Sequence, residues 1–195
     1  MKLEFLTSEN LYLRPYEPED AKLIFGWFND PETTYYMFTG QKPKTLKQIE
    51  ALMQEDTQAE KNAIFIAIEK KSSQPIGLVG LYEIHQTAKK AEMRIIIGNS
   101  DFRGRGYGTE MTEMINFYGF DRLNLHRIYL GVTAENKGGV HAYEKAGYVR
   151  EGLLKDDVYR NSQYYDAVRM AILRDDYYEK WHAKHQKLFG IQKKK

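Results

Sequence analysis

Apolar and polar positions alternate in LYLRPY (residues 11–16), the period-two pattern of a strand with one buried face. In EPEDAKLIFGWFND (17–30) the spacing changes to that of a helix. Its first turn is acidic, and Leu23, Ile24, Trp27 and Phe28 share one face. TLKQIEALMQEDTQ (45–58) predicts a second helix, with Thr45 as N-cap and Leu46, Ile49, Leu52 and Met53 as its apolar stripe. NAIFIAIEKKSSQPIGLVGLYEIH (62–85) predicts two strands around a Ser-Ser-Gln-Pro turn. AEMRIIIG (91–98) predicts another strand, whose continuous apolar end suggests burial on both faces. TEMTEMINFYGFDRLN (109–124) returns to helical spacing, with Met111, Met114, Ile115 and Tyr118 aligned. HRIYLGVT (126–133) reads as a strand, GGVHAYEKAG (138–147) as a short helix, and residues 148–173 as a long hairpin. From Asp175 the pattern is helical again, amphipathic at first and then basic. The predicted order is β-α-α-β-β-β-α-β-α-β-β, an α/β fold with a mixed central sheet flanked by helices.

Composition narrows the chemistry. A length of 195 residues suits one domain, expected over 1–178, followed by a basic tail over 179–195. Twenty-nine Lys and Arg against 27 Asp and Glu leave a formal charge of +2, so bulk charge points to neither nucleic acid nor membrane. The absence of cysteine excludes disulfides, thiolate metal ligation and a cysteine acyl-enzyme, and it fits a reducing compartment. The opening MKLEFLTSEN lacks a signal-peptide apolar core, and the expected location is the cytoplasm. His182 and His185 stand three residues apart in the tail. With no third ligand at matching spacing they predict a solvated helix and no metal site.

DFRGRGYGTE (101–110) is the chemically distinctive stretch. It places three glycines and two arginines between a predicted strand and a predicted helix. Free amides at a helix start, the helix dipole and bare glycine backbone together make an anion site. The P-loop pattern fails, because Gly108 is followed by Thr109 and Glu110. The dinucleotide pattern fails as well, because Gly104, Gly106 and Gly108 run G-x-G-x-G.

Arg103-x-x-Gly106-x-Gly108 resembles the Q/R-x-x-G-x-G/A acetyl-CoA pyrophosphate loop of the GNAT superfamily of N-acetyltransferases. LNLHRIYLGVTAENKGGVHAYEKAGYVREG (123–152) is similar to the second half of that family's core. The terminal hairpin and the N-terminal strand and helix are similar to its RimJ/RimL-like and spermidine acetyltransferase branches. The resemblance spans roughly residues 10–178. It implies acetyl-CoA as donor, with Arg103 and Arg105 near the phosphates and the backbone of Gly104, Gly106, Tyr107, Gly108 and Thr109 cradling them. Ile96, Ile97 and Gly98 would pair their backbone with the pantetheine amides like an added strand, and Asn136 would help to position that arm.

Direct transfer needs an amine that has lost its proton, donors aimed at an oxyanion and a proton for the leaving thiolate. The resemblance places Tyr143 beside the cofactor sulfur as general acid. It places Glu92 where some members carry a catalytic glutamate. Other members have a glutamate on the following strand, where this chain has Gly131. A water relay to Glu92, or binding of an already neutral amine, is therefore open. His141 falls on another helical face and reads as surface.

The expected acceptor is a small cationic amine, polyamines first, with Asp30, Glu32, Asp156 and Asp157 lining the acceptor entrance opposite the cofactor. Amino sugars, antibiotics and protein N-termini are the alternative acceptors, and a non-catalytic acyl-CoA-binding module is the alternative of another class. Self-assembly into a homo-oligomer is left open by the sequence.

Overall fold

The computed structural model describes residues 3–38 and 42–190. Eight strands form one sheet: β1 (Leu6–Thr7), β2 (Leu11–Pro15), β3 (Ala63–Glu69), β4 (Pro75–His85), β5 (Lys90–Ile97), β6 (Arg127–Thr133), β7 (Val149–Arg160) and β8 (Gln163–Leu173). Their spatial order is β1-β2-β3-β4-β5-β6-β8-β7. Neighbours are antiparallel except β5 and β6, which run parallel.

Helices cover both faces. α1 (Ala21–Asn29), the short α2 (Pro31–Thr34) and α3 (Leu46–Gln58) lie on one side. There Ile24, Trp27, Ile49 and Met53 pack with Ile64, Ile66 and Ile96. α3 starts where the sequence places it: Thr45 and Gln48 form a reciprocal capping box that satisfies orphan amides. α4 (Tyr107–Phe117) and α5 (Lys137–Lys145) cover the other side. Met111, Met114 and Ile115 meet Met93, Ile128, Leu130 and Met170 there in the larger core. The strand parity of β5 divides its residues accordingly. Ala91, Met93, Ile95 and Ile97 face α4, whereas Ile96 packs on the α1–α3 side.

Four elements depart from the predicted order: the two-residue β1, the four-residue α2, and in the tail α6 (Arg174–Lys180) and α7 (His182–Phe189). The boundary drawn at residue 178 falls inside α6. The solvated helix expected at His182 and His185 is corrected. His185 is fully buried, between Tyr177 and Phe189, because Trp181, His185 and Phe189 recur every fourth residue and share one face. Lys184 bonds Glu113 of α4 at 2.7 Å, and His185 lies 3.8 Å from the same carboxylate. Among the described residues no helix is long and apolar enough to cross a membrane, and no three His, Cys, Asp or Glu residues gather as a metal site.

Candidate active site

The parallel junction is the structural opening of the sheet. β5 and β6 pair only at Lys90–Arg127, Ala91–Ile128 and Glu92–Tyr129. Beyond Glu92 and Tyr129 no ladder joins the two strands, although β5 continues to Ile97 and β6 to Thr133. A gap therefore opens toward the glycine-rich loop, with strand backbone on both sides.

Gly106 caps α4 at φ 86°, and Gly104 sits at φ 71°. Both lie in the left-handed region that side chains disfavour. A Cβ at either position would meet nothing within 4 Å, so packing does not require these glycines. Their conformation and the open space above them do. The first-turn amides of α4 have no partner within the helix, and the dipole favours an anion there. These features fit a pyrophosphate at the loop, with a pantetheine arm entering the gap.

Arg103 and Arg105 are not equivalent. Arg103 donates through Nε to the Ile97 carbonyl at 3.2 Å and through Nη2 to Thr33 Oγ1 at 2.6 Å, and its Nη1 lies 3.8 Å from Glu32. It ties the loop to α2, a structural duty that the sequence did not reveal. Arg105 is exposed, 5.7 Å from the Phe102 ring centroid, and is the arginine left free to meet phosphate. Tyr107 turns its hydroxyl to Glu69 at 3.3 Å, so only its backbone faces the loop. Gly98 has a packing reason of its own, since a Cβ would come within 2.0 Å of the Trp27 indole.

α5 carries the next pair. Asn136 caps it, accepting from the Gly139 amide at 2.9 Å. Tyr143 lies two turns later on the same face. Its hydroxyl has no hydrogen-bond partner among the described residues, and its ring stands 6.2 Å from that of Tyr148. Burial pushes the Tyr143 phenol up to about 12, so it is protonated at neutral pH. His141 is exposed, as the sequence indicates.

Glu92 stands on the last paired rung of β5, at the mouth of the gap. Arg94 holds its Oε2 through Nε at 2.9 Å and Nη2 at 2.6 Å, and Arg169 of β8 lies 3.9 Å from Oε1. Sequence reasoning missed both arginines. Arg94 could have been found, being two residues from Glu92 and so on the same strand face. Arg169 could not, because its approach depends on strand order.

The acceptor carboxylates are not brought together. Asp30 is the N-cap of α2, accepting from the Thr33 amide at 2.8 Å and from the Thr33 hydroxyl. Those bonds hold its carboxyl below the ordinary range. Glu32 is exposed and lies 3.8 Å from Arg103 of the glycine loop. Asp156 and Asp157 are exposed on β7, with the Asp156 amide bonded to Asp166 at 3.0 Å.

Residues 10–149 match the family model described as an acetyltransferase (GNAT) domain. The chain belongs to the GNAT family. It is an acetyl-CoA-dependent N-acetyltransferase, with the mixed sheet and flanking helices of that fold. Among GNAT relatives, spermidine N(1)-acetyltransferase of Vibrio cholerae serotype O1 is 33% identical over 171 residues, 87% of this chain and 96% of that protein. A crystal structure of spermidine N-acetyltransferase from Vibrio cholerae in complex with CoA and spermine superposes with a TM-score of 0.80. It is 33% identical and covers 87% of this chain and 98% of that one. A dodecameric structure of the Vibrio cholerae enzyme in an intermediate state gives a TM-score of 0.75 at 30% identity, covering 89% and 99%.

Proposed function

We propose that this N-acetyltransferase acetylates a polyamine of the spermidine and spermine class. The observation that carries the reading is the near end-to-end similarity to a spermidine N-acetyltransferase that was crystallised with CoA and spermine. The site chemistry agrees with it. Acetyl-CoA supplies an activated acetyl thioester. Gly104, Gly106, Tyr107, Gly108 and Thr109 would hold its pyrophosphate by backbone amides, with Arg105 beside them. The strand backbone at Ile96, Ile97 and Gly98 and the side chain of Asn136 would guide the arm into the gap. Tyr143, protonated and without a hydrogen-bond partner among the described residues, would give its proton to the departing sulfur. Glu92 takes the proton of the attacking amine, directly or through water. The exposed Glu32, Asp156 and Asp157 add negative charge that draws in a polycation.

We also assign the enzyme to the cytoplasm, in keeping with a chain free of cysteine. We infer homo-oligomeric assembly from the dodecamer of the Vibrio cholerae relative. An acceptor panel tests the function. Spermidine and spermine should be acetylated with higher kcat/KM than monoamines of equal length, which lack a second charge, and their KM should rise with ionic strength. Efficient acetylation of amino sugars or N-terminal peptides with none of spermidine or spermine would overturn the polyamine reading. Acetyl-CoA binding without turnover on any amine would leave a non-catalytic binder.

A further inference from the structure

β6 separates β8 from β5, so a side chain on β8 can reach Glu92 only by crossing β6. Arg169 does this. It is paired in register with Gly131, and a Cβ on Gly131 would come within 3.3 Å of Arg169 Nη1 and of the Phe38 ring. The missing side chain is the passage. At its end, Nη1 stands 3.9 Å from Glu92 Oε1. The two oxygens of Glu92 are therefore held very differently. Oε2 has two short bonds from Arg94, whereas Oε1 faces a guanidinium beyond hydrogen-bond length whose side chain is 47% exposed. The loose contact gains only screened Coulomb attraction. An ammonium arriving at hydrogen-bond distance gains more, and Arg169 can withdraw into water without burying an unpaired charge.

We propose that Arg169 is a specificity residue. It occupies Oε1 of Glu92 in the free enzyme and gives up that oxygen to an ammonium of the acceptor. The proposal rests on the reading of Glu92 as the carboxylate that meets the amine. Arg94 keeps Glu92 oriented during the exchange. A neutral or anionic acceptor has no charge with which to displace Arg169, so the arrangement selects cationic acceptors at the cost of some affinity for them. Gly131 takes part because a side chain there would crowd the crossing, its Cβ lying 3.3 Å from Arg169 Nη1.

The test is spermidine binding by calorimetry with CoA present, which holds the site without turnover, together with steady-state kinetics. In Arg169→Gln, the spermidine Kd and KM should fall by about two- to fivefold, with the change lying in KM rather than kcat. Arg169→Met should behave alike and serves as a second variant should the first fold poorly. In a Glu92→Gln background the gain from Arg169→Gln should vanish, since no charge is left to compete for. Unchanged or weaker spermidine binding in both Arg169 variants, beside a weakened Glu92→Gln, would overturn this proposal alone. A Glu92→Gln protein that binds and acetylates spermidine like the wild type would overturn the role of Glu92 as well.

Discussion

Tyr143 is half-buried against the larger core. Its hydroxyl has no hydrogen-bond partner among the described residues, and it stands on α5. Replacement by Phe removes only the oxygen, so the fold and acetyl-CoA affinity should persist while kcat falls by about 10²- to 10⁴-fold. Wild-type turnover in Tyr143→Phe would remove the residue from the acid role. Gly106 gives a second test at this scale. Asp and Asn tolerate its left-handed φ of 86° about equally well, and they differ in charge. Acetyl-CoA binding should weaken by about tenfold or more in Gly106→Asp and far less in Gly106→Asn, as titration calorimetry would report. Gly106 was singled out by three glycines before a helix, and Tyr143 by the family resemblance, which places it seven residues after Asn136. The partners of Arg103 were not, because Thr33 and Glu32 lie 70 residues away in sequence and meet it only through the fold.

Secondary structure followed the apolar periodicity wherever an element was long enough to show a period. β1 and α2 were missed because two and four residues cannot display one. α7 was read as helix but given the wrong environment, because a histidine was counted as polar when its ring fills a slot between Tyr177 and Phe189. That helix is latched to α4 at Glu113. Burial alone would raise the Glu113 carboxyl, but the adjacent His185 and Lys184 outweigh it and hold it below its ordinary value. A carboxyl whose folded pKa is depressed contributes stability that is present above its unfolded pKa of about 4.3 and is lost as pH falls through the folded value. Glu113→Gln should therefore lower stability at pH 7 by about 1 kcal/mol, after allowing for exposure of Lys184. The difference from wild type should shrink on acidification below pH ~4. Thermal melts across that range would check it, and an equal deficit at all pH values would refute it.

At the scale of the molecule, the strand order decides what the sequence could not. Arg169 reaches Glu92 because β8 inserts beside β6, and no local pattern announces that order. The same order puts β7 at the sheet edge, where Val149, Leu153 and Tyr159 are all more than half exposed. Exposed edge strands invite pairing with another chain. Assembly through this edge predicts that Leu153→Lys lowers the mass measured by light scattering without lowering the melting temperature of the subunit. An unchanged mass would place the interface elsewhere. The gap at β5 and β6 carries a mechanical consequence as well. The sheet amounts to two ladders, β1 to β5 and β6-β8-β7, stitched by three residue pairs. A donor arm held in the gap, as proposed above, would take up the stitching where those pairs stop and act as a structural splint. Ligand bound only to the native state stabilises it by about 2.7 kcal/mol at a hundredfold excess over Kd. Acetyl-CoA should accordingly raise the melting temperature in proportion to the logarithm of its concentration. Amide exchange should slow on both banks at once, at residues 93–97 and at 130–133, and slowing on one bank alone would mean that the splint lies somewhere else.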